Sequence, residues 1–456
     1  MSTKKSQNQT HSSDNGISRR QFIGRTTLAA AAFSIVPRHV LGGQGYRAPS
    51  DILHIANIGI GGKGNSDSNA VAHENVVALC DVDDTQGEAA RLRHPDLKVY
   101  RDFRVMLDKE KDIEAVTIST PDHTHAVIAM EAMRRGIHVF VQKPLTHTVK
   151  EARTLAKFAK ENKIVSQMGN QGHAGEAARL VNEWIWDGAI GDVTKVDAFT
   201  NRPIWPQGMI ERTKEIPSVP PTLDWISWLG PAPFRAYHPD YHPFSWRGRW
   251  DFGTGAIGDM GAHIMDHPFW ALDLGLPKTI QASSTNFNSE CYPEAEIITW
   301  TFPERDGKPP VTFKWYDGGL MPERPEDLEP GRQIGDSGGG VVYYGSKGKL
   351  MHSTYGSGPR LFPETFMKEY KRPEKTIERS PGIHQEWIDA IKNGTKSTTD
   401  FEYAAKLTEV MLLGNIAVRL KDKNTILEYD GEKGEFTNVP EANDLLHYEY
   451  APGWKL

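Results

Sequence analysis

A chain of 456 residues is too long for one ordinary hydrophobic core, so two domains with appendages are expected. A net charge of −6 and a pI near 6.3 exclude the global basic footprint of a nucleic-acid binder. Two cysteines, Cys80 and Cys291, exclude a disulfide framework, while 12 tryptophans among 42 glycines and 29 prolines point to long, structured loops with aromatic surfaces.

Residues 1–45 read as a targeting segment. Met1–Gly16 is polar, and Ser18-Arg19-Arg20-Gln21-Phe22-Ile23-Gly24 precedes a short alanine-rich run from Thr27 to Val36. Paired arginines ahead of a mildly hydrophobic stretch resemble a twin-arginine export signal, which predicts a periplasmic or secreted protein. The run is too short for a membrane span, so no stable span is expected in the mature form. There is no clean Ala-x-Ala cleavage site, which leaves a retained anchor open.

Residues 51–170 carry a dinucleotide-binding pattern. The strand-like run Leu53–Ile58 meets Gly59-Ile60-Gly61-Gly62-Lys63-Gly64 and passes into a helical stretch. Gly59 allows the tight turn, Gly61 lets backbone approach a pyrophosphate, and Gly64 lets helix and strand pack closely. Gly62 and Lys63 complete the phosphate loop, at a helix N-terminus whose free N–H groups favour anions. A second strand, Val76–Cys80, ends in Asp81, roughly 20 residues past the first glycine, where a carboxylate would hold the ribose hydroxyls. The same carboxylate would repel a 2′-phosphate, so NAD is favoured over NADP.

Strands and helices then alternate as in βαβ units: helix Asp84–Arg93, strand Lys98–Tyr100, helix Phe103–Leu107, strand Glu114–Ser119, helix His125–Arg135, strand His138–Val141, helix Val149–Asn162 and strand Ile164–Met168. The fold class is α/β, with a doubly wound parallel sheet whose ligands lie beyond the carboxyl ends of the strands. Three polar clusters fall at that edge: Thr120–His125, Gln142-Lys143 and Gly169-Asn170-Gln171. They supply Thr120, Pro121, His125 and Gln142 as candidate cofactor contacts, and Asn170 as a candidate substrate contact.

Residues 171–440 form the second domain, and 441–456 an aromatic tail expected to wrap the surface. After helix Gly175–Trp186 and strand Thr194–Asn201, regular alternation ceases. Flat rings with a polar edge suit sugar faces. Of the aromatic residues between Arg202 and Phe252, Trp225 and Trp228 read as a loop core. Trp205, Trp246 and Trp250, flanked by Arg247 and Arg249, read as a substrate wall. Tyr316–Gly340 reads as a lid or oligomer arm, Val341–Tyr344 and Lys349–Met351 as a hairpin, and Phe401–Leu420 as a long helix. His384, on helix Ile383–Lys392, is read equally as a substrate contact or a packing residue.

Projected as a helix, Gly253–Leu274 sets Asp259, His263, Asp266 and Trp270 on one stripe, with Ile264, Met265, Ala271 and Leu272 opposite. Pro268 should distort the helix near His267. Asp259 can be an N-cap and His263 a hydrogen-bonded core residue. His263 and His267 at i, i+4 can bind zinc, but a third ligand and the Glu of His-Glu-x-x-His are missing. Alternatively, His263 takes a hydroxyl proton as hydride leaves the adjacent carbon, with Asp259 setting its tautomer or binding a neighbouring hydroxyl. The residues alone leave the first and third readings level.

Gly59–Gly64, Thr120–His125, Gln142-Lys143-Pro144 and Asp259-Met260-Gly261-Ala262-His263 together resemble the Gfo/Idh/MocA oxidoreductases, the family of glucose–fructose oxidoreductase and inositol dehydrogenase. The resemblance implies a second, α+β domain with an open, mostly antiparallel sheet, a sugar or glycoside substrate, and a homodimer or homotetramer. It implies Lys143, Asp259 and His263 as catalytic residues, with Lys143 polarising the substrate oxygen, and no metal. The family's strand-end Glu-Lys-Pro is Gln142-Lys143-Pro144 here, which removes a carboxylate beside the nicotinamide. With the export segment, the chain resembles the exported branch of the family.

Outside the cytoplasm, NAD is expected to be bound tightly and recycled within each cycle. One sugar can be oxidised while a second carbonyl compound is reduced. Alternatively, transient oxidation can acidify a neighbouring C–H and eliminate a glycosidic substituent, so that the net reaction is hydrolysis or epimerisation. A dinucleotide-binding sugar sensor is the non-enzymatic alternative.

Overall fold

The computed structural model describes residues 51–212 and 214–456; the twin-arginine segment lies outside them. The chain alternates β1 (His54–Ile58), α1 (Gly62–Ala70), β2 (Asn75–Cys80), α2 (Glu88–Arg93), β3 (Val99–Tyr100), α3 (Phe103–Lys109), β4 (Ala115–Ile118), α4 (His125–Met133), β5 (His138–Val141), α5 (Val149–Glu161) and β6 (Ser166–Met168). All six strands are parallel, in the order β3-β2-β1-β4-β5-β6. Short apolar runs such as Ala115–Ile118 are buried throughout, as strands covered by helices on both faces must be. The strand order reverses between β1 and β4, so the loops leaving them diverge and open a crevice at the carboxyl edge.

Helix α2 begins four residues later than the sequence pattern suggests. Asp83 accepts a hydrogen bond from the Thr85 N–H (3.0 Å), and Gly87 adopts φ +72, so the intervening residues turn instead of coiling. Helix α5 starts at a capping box: the Thr148 hydroxyl accepts from the Glu151 N–H while the Glu151 carboxylate accepts from the Thr148 N–H.

Downstream lie α6 (Glu176–Trp186), β7 (Val193–Thr200), α7 (Trp225–Leu229), α8 (Gly255–Ile264), α9 (Asp266–Leu272), β8 (Thr279–Ser284), β9 (Glu296–Phe302), β10 (Val311–Tyr316), β11 (Gly339–Gly345), β12 (Lys349–Ser353), β13 (Arg360–Phe362), α10 (Glu364–Glu369), α11 (Ile383–Asn393), α12 (Phe401–Arg419), β14 (Leu427–Asp430) and β15 (Glu435–Phe436). Their nine strands form a second sheet, β13-β12-β11-β7-β10-β9-β8-β14-β15. Only β7 and β10 pair in parallel, so the sheet is mixed and mostly antiparallel. Strands β9 and β10 alternate buried with half-buried residues, which leaves one face for the helices.

Helix α12 ties the two sheets together. The Trp300 indole donates to the Val410 carbonyl (3.1 Å), the Thr408 hydroxyl accepts from the Leu145 N–H (3.2 Å), and the Asn415 amide donates to the Thr254 carbonyl (2.9 Å). The single helix expected over Gly253–Leu274 is two, α8 and α9, parted at Met265. Pro268 has no N–H to offer the Ile264 carbonyl four residues back, so the ladder breaks there and not at His267. No helix among the described residues is long and apolar enough to cross a membrane.

Glu296 on β9 is buried, and burial together with the Asp317 carboxylate pushes its pKa well above the ordinary range. A raised folded-state pKa gives stability that is complete below the unfolded value and lost as pH rises through the folded one. Glu296→Gln is therefore expected to raise the melting temperature more at about pH 8 than at about pH 5, as thermal unfolding across that range will read. An equal change at both ends would contradict protonated burial.

Candidate active site

A cavity of about 630 Å³ runs along the carboxyl edge of the first sheet, within the range typical of ligand sites. Gly59, Gly61, Gly62, Lys63, Asp81, Thr120, Pro121, Gln142, Lys143, Trp246, Asp259 and His263 line it. Gly59 sits at φ +75, and a Cβ there would lie 2.8 Å from the Ser119 carbonyl. A Cβ at Gly64 would lie 1.8 Å from the Gly59 carbonyl oxygen, so the loop closes onto α1 only with glycine at that position. At the end of β2, the Asp81 carboxylate accepts the Ile60 and Asp83 N–H groups (2.9 and 3.0 Å), which fixes it at the cavity wall. Burial pushes its pKa up against these bonds. A glycine cradle open to phosphate, with a fixed carboxylate beside it for ribose hydroxyls, fits NAD.

Lys143 and Asp259 meet across this cavity. Lys143 leaves β5, Asp259 rides on α8, and the Lys143 ammonium donates to the Asp259 carboxylate (2.9 Å) and carbonyl (2.5 Å). Arg247 adds a longer contact to the same carboxylate, at 3.6 Å. Burial opposes ionisation of Asp259, but Lys143 and then Arg247 outweigh it and hold its pKa below the ordinary range.

His263, one helical turn further along α8, is buried, and desolvation and then Lys143 lower its pKa to about 3. Its Nδ1 is buried with no partner, which leaves Nε2 as the ring nitrogen open to the cavity. Asp259 is engaged by Lys143 and does not fix the His263 tautomer, contrary to one of the roles expected for it.

The helical stripe divides at the break between α8 and α9. Asp259 and His263 reach the cavity, whereas Asp266 accepts from the Tyr403 hydroxyl (2.7 Å) and pairs with His173 Nδ1 (3.0 Å). Trp270 stacks on the His173 ring, 4.2 Å away. His267 packs edge-on against His352 (ring centroids 4.9 Å apart). Among the described residues, no three His, Cys, Asp or Glu side chains are grouped to hold a metal.

Several candidates lie elsewhere. His384 Nε2 donates to the Asp67 carboxylate (2.9 Å) and the ring stacks on Phe140 (4.5 Å), so it packs under the glycine loop, outside the cavity lining. Trp205 is buried, with its indole N–H on Gln207 (2.7 Å). Arg249 is buried beneath the Tyr241 ring, and Trp250 packs on Tyr292 with its N–H on the Asn288 carbonyl (3.1 Å). Trp250 is drawn into the main core and Arg249 onto the loop core's Tyr241, orientations that the sequence alone cannot give. Asn170 is fully buried with both amide atoms unpartnered, outside the cavity lining. His125 bonds the Pro144 and Thr120 carbonyls (2.9 and 2.8 Å), so it shapes the rim from behind. Trp225 and Trp228 stack on each other in the loop core, 4.6 Å apart.

Asp67 has no counterpart in the sequence reading. Fully buried on α1, it receives Ser119 Oγ (2.7 Å), Gln142 Nε2 (2.8 Å), His384 and Lys63. Burial works to raise its pKa, but His384 and Lys63 prevail and hold it low. The glutamine of Gln142-Lys143-Pro144 thereby finds its reason: a glutamate would set a second carboxylate against Asp67, whereas the amide donates to it. Arg247, named beside the expected substrate wall, lines the cavity, and Arg202, Tyr355 and Trp454 line it unforeseen. Those three come from segments far apart in the chain, with no motif to mark them.

Gly64→Ala must displace the Gly59 carbonyl, so it is expected to weaken NAD binding by at least about tenfold in a fluorescence titration. Asp81→Asn, which keeps an acceptor for the Ile60 N–H while removing the charge, should weaken NAD and relax discrimination against NADP. Unchanged affinities would remove the cofactor from this cavity.

Two family models match: "Oxidoreductase family, NAD-binding Rossmann fold" over residues 53–170, and "Oxidoreductase family, C-terminal alpha/beta domain" over 181–304. Together they span more than half of the chain. Among curated relatives, a levoglucosan dehydrogenase of Pseudarthrobacter phenanthrenivorans is 29% identical over 36% of this chain and 34% of its own. A glycosyl hydrolase family 109 protein of Shewanella sp. (strain W3-18-1) is 29% identical over 38% of this chain and 40% of its own. The chain thus spans between a third and two-fifths of the length of these relatives. The aldose-aldose oxidoreductase of Caulobacter crescentus, solved with glycerol, superposes with a TM-score of 0.56 at 15% identity, over 83% of this chain and all of its own, which is a likeness of fold. The chain belongs to the Gfo/Idh/MocA oxidoreductases and carries their NAD-binding Rossmann domain.

Proposed function

We propose that this protein oxidises a hydroxyl of a sugar or glycoside at the cavity where Lys143, Asp259 and His263 meet. The observation that carries the reading is the convergence of Lys143, from the first sheet's edge, and His263, from α8, on the cavity that holds the glycine loop. Bound NAD supplies the hydride acceptor. The Lys143 ammonium donates to the substrate hydroxyl oxygen and stabilises the charge that develops there. His263 Nε2 takes the hydroxyl proton as the carbinol C–H bond breaks. Asp259 holds the ammonium in place.

The export segment and the likeness to an aldose-aldose oxidoreductase support a cofactor kept on the protein and recycled by reduction of a second carbonyl compound. A second reading draws on the Shewanella relative's name: the same residues serve transient oxidation to a ketone, loss of a neighbouring proton and elimination of the glycosidic substituent, addition of water to the double bond so formed, and return of the hydride to the carbonyl, so that the net reaction is hydrolysis. Mass spectrometry of products from a glycoside panel, without added cofactor, separates the two.

His263→Ala is expected to lower sugar-dependent reduction of bound NAD by about 10²–10⁴-fold while leaving NAD affinity nearly unchanged. Reduction at the wild-type rate would sink the assignment. With its pKa depressed to about 3, His263 stays a neutral base well below the usual imidazole range. The wild-type kcat/KM profile should therefore show no imidazole limb between about pH 5 and about pH 8. A limb near pH 6.5 that disappears in His263→Gln would contradict this.

A further inference from the structure

We propose that the sugar taken by this site carries an anionic group, a carboxylate or a sulfate ester, held by Arg202 and Arg247. This rests on the sugar-oxidising reading and narrows its substrate class. Both arginines line the catalytic cavity. Arg247, in the turn Ser245–Gly248 ahead of α8, lies over the Trp246 and Phe244 rings (4.3 and 4.7 Å) and keeps 26% of its side chain accessible. Its one ion pair among the described residues, 3.6 Å to Asp259, is shared with Lys143, which makes the shorter bond. Arg202 follows β7, donates to the Asn201 side-chain oxygen (2.5 Å), and has no ion pair among the described residues. It lies close enough to Tyr355 to act on its hydroxyl electrostatically, and Tyr355 packs edge-on to His263 (ring centroids 5.0 Å apart).

The guanidiniums at this end of the cavity are under-partnered: Lys143 takes the short bond to Asp259, Arg247 has only the 3.6 Å contact, and Arg202 has no ion pair among the described residues. Asp122 is buried and bonded to the Thr254 hydroxyl (2.6 Å), and Asp336 is taken up by the Thr354 hydroxyl (2.7 Å) and the Gly338 and Gly339 N–H groups, so neither pairs with a guanidinium. The glycine loop, with its free backbone N–H groups, is the part of the cavity that would hold the pyrophosphate. A half-enclosed cavity with surplus guanidinium attracts an anion, and the planar fork of arginine matches a carboxylate or sulfate with paired hydrogen bonds. A neutral sugar would leave those donors to water.

The test loads the full-length protein with one equivalent of NAD and compares methyl glucoside, methyl glucuronide and methyl glucoside 6-sulfate by appearance of reduced nicotinamide. The proposal expects the single-turnover rate of cofactor reduction per unit sugar concentration to be higher for one of the anionic sugars than for the neutral glucoside by on the order of tenfold or more, with an advantage that shrinks in high salt. Whichever anionic sugar leads identifies the group. In Arg202→Met, checked for retained NAD binding, the anionic-to-neutral ratio should fall, mainly through the half-saturating concentration of the anionic sugar. Equal or better use of the neutral glucoside overturns the proposal while sparing the sugar-oxidising reading. If no sugar reduces the cofactor, that reading fails, and quenching of bound NADH fluorescence then decides. Saturable quenching by an anionic sugar but not by methyl glucoside supports the proposal; equal quenching, or none, overturns it.

Discussion

The Lys143–Asp259 ion pair is the contact on which the site depends, because it closes the first sheet's edge onto the helix of the second domain. Its partners lie 116 residues apart, and both side chains are mostly withdrawn from water. Such a pair is favourable only when its remaining hydrogen-bonding positions are filled. Here the ammonium also reaches the Asp259 carbonyl, and Arg247 approaches the carboxylate's free side. The pair therefore fixes where an ammonium and the neighbouring imidazole stand with respect to each other.

Two supports keep that placement rigid. Behind the pair, α12 holds Leu145 next to the lysine and Thr254 at the start of α8, so both partners hang from one helix. Beneath the cofactor loop, Asp67 gathers groups from four segments, and Gln142 joins it immediately before Lys143. The carboxylate that the family carries in its Glu-Lys-Pro motif is replaced here by an amide bonded to a buried acid one helix away. Negative charge is thus kept near the cofactor loop while the residue beside Lys143 stays neutral.

Much of the first sheet was legible because its signals are local: apolar runs of strand length, a glycine turn after the first, and an acid after the second. Lys143 and His263 were legible for a related reason. A residue just past a strand's carboxyl end has its place set by the sheet, and a residue one turn from Asp259 has its place set by the helix. Trp205, Trp250 and Arg249 were misplaced because residue type gives no direction in an irregular loop, where the neighbouring cores compete for every ring; His384, read as open between substrate and packing, packs. Asp67 was invisible because its partners at positions 119, 142 and 384 come together only in the fold. The division of α8 from α9 shows the scale of the error that one proline introduces: Asp266 falls on the Asp259 stripe of a continuous helix, yet in the structure it serves His173 and Tyr403.

The central claim is that an ammonium and an imidazole act on one carbinol at the first sheet's edge. The crystal structure of the protein with NAD and a bound sugar tests it most directly. The account predicts one sugar hydroxyl within about 2.6–3.2 Å of both Lys143 Nζ and His263 Nε2, with its carbon facing the nicotinamide. A sugar reached by only one of the two residues, or a nicotinamide ordered away from both, would contradict it.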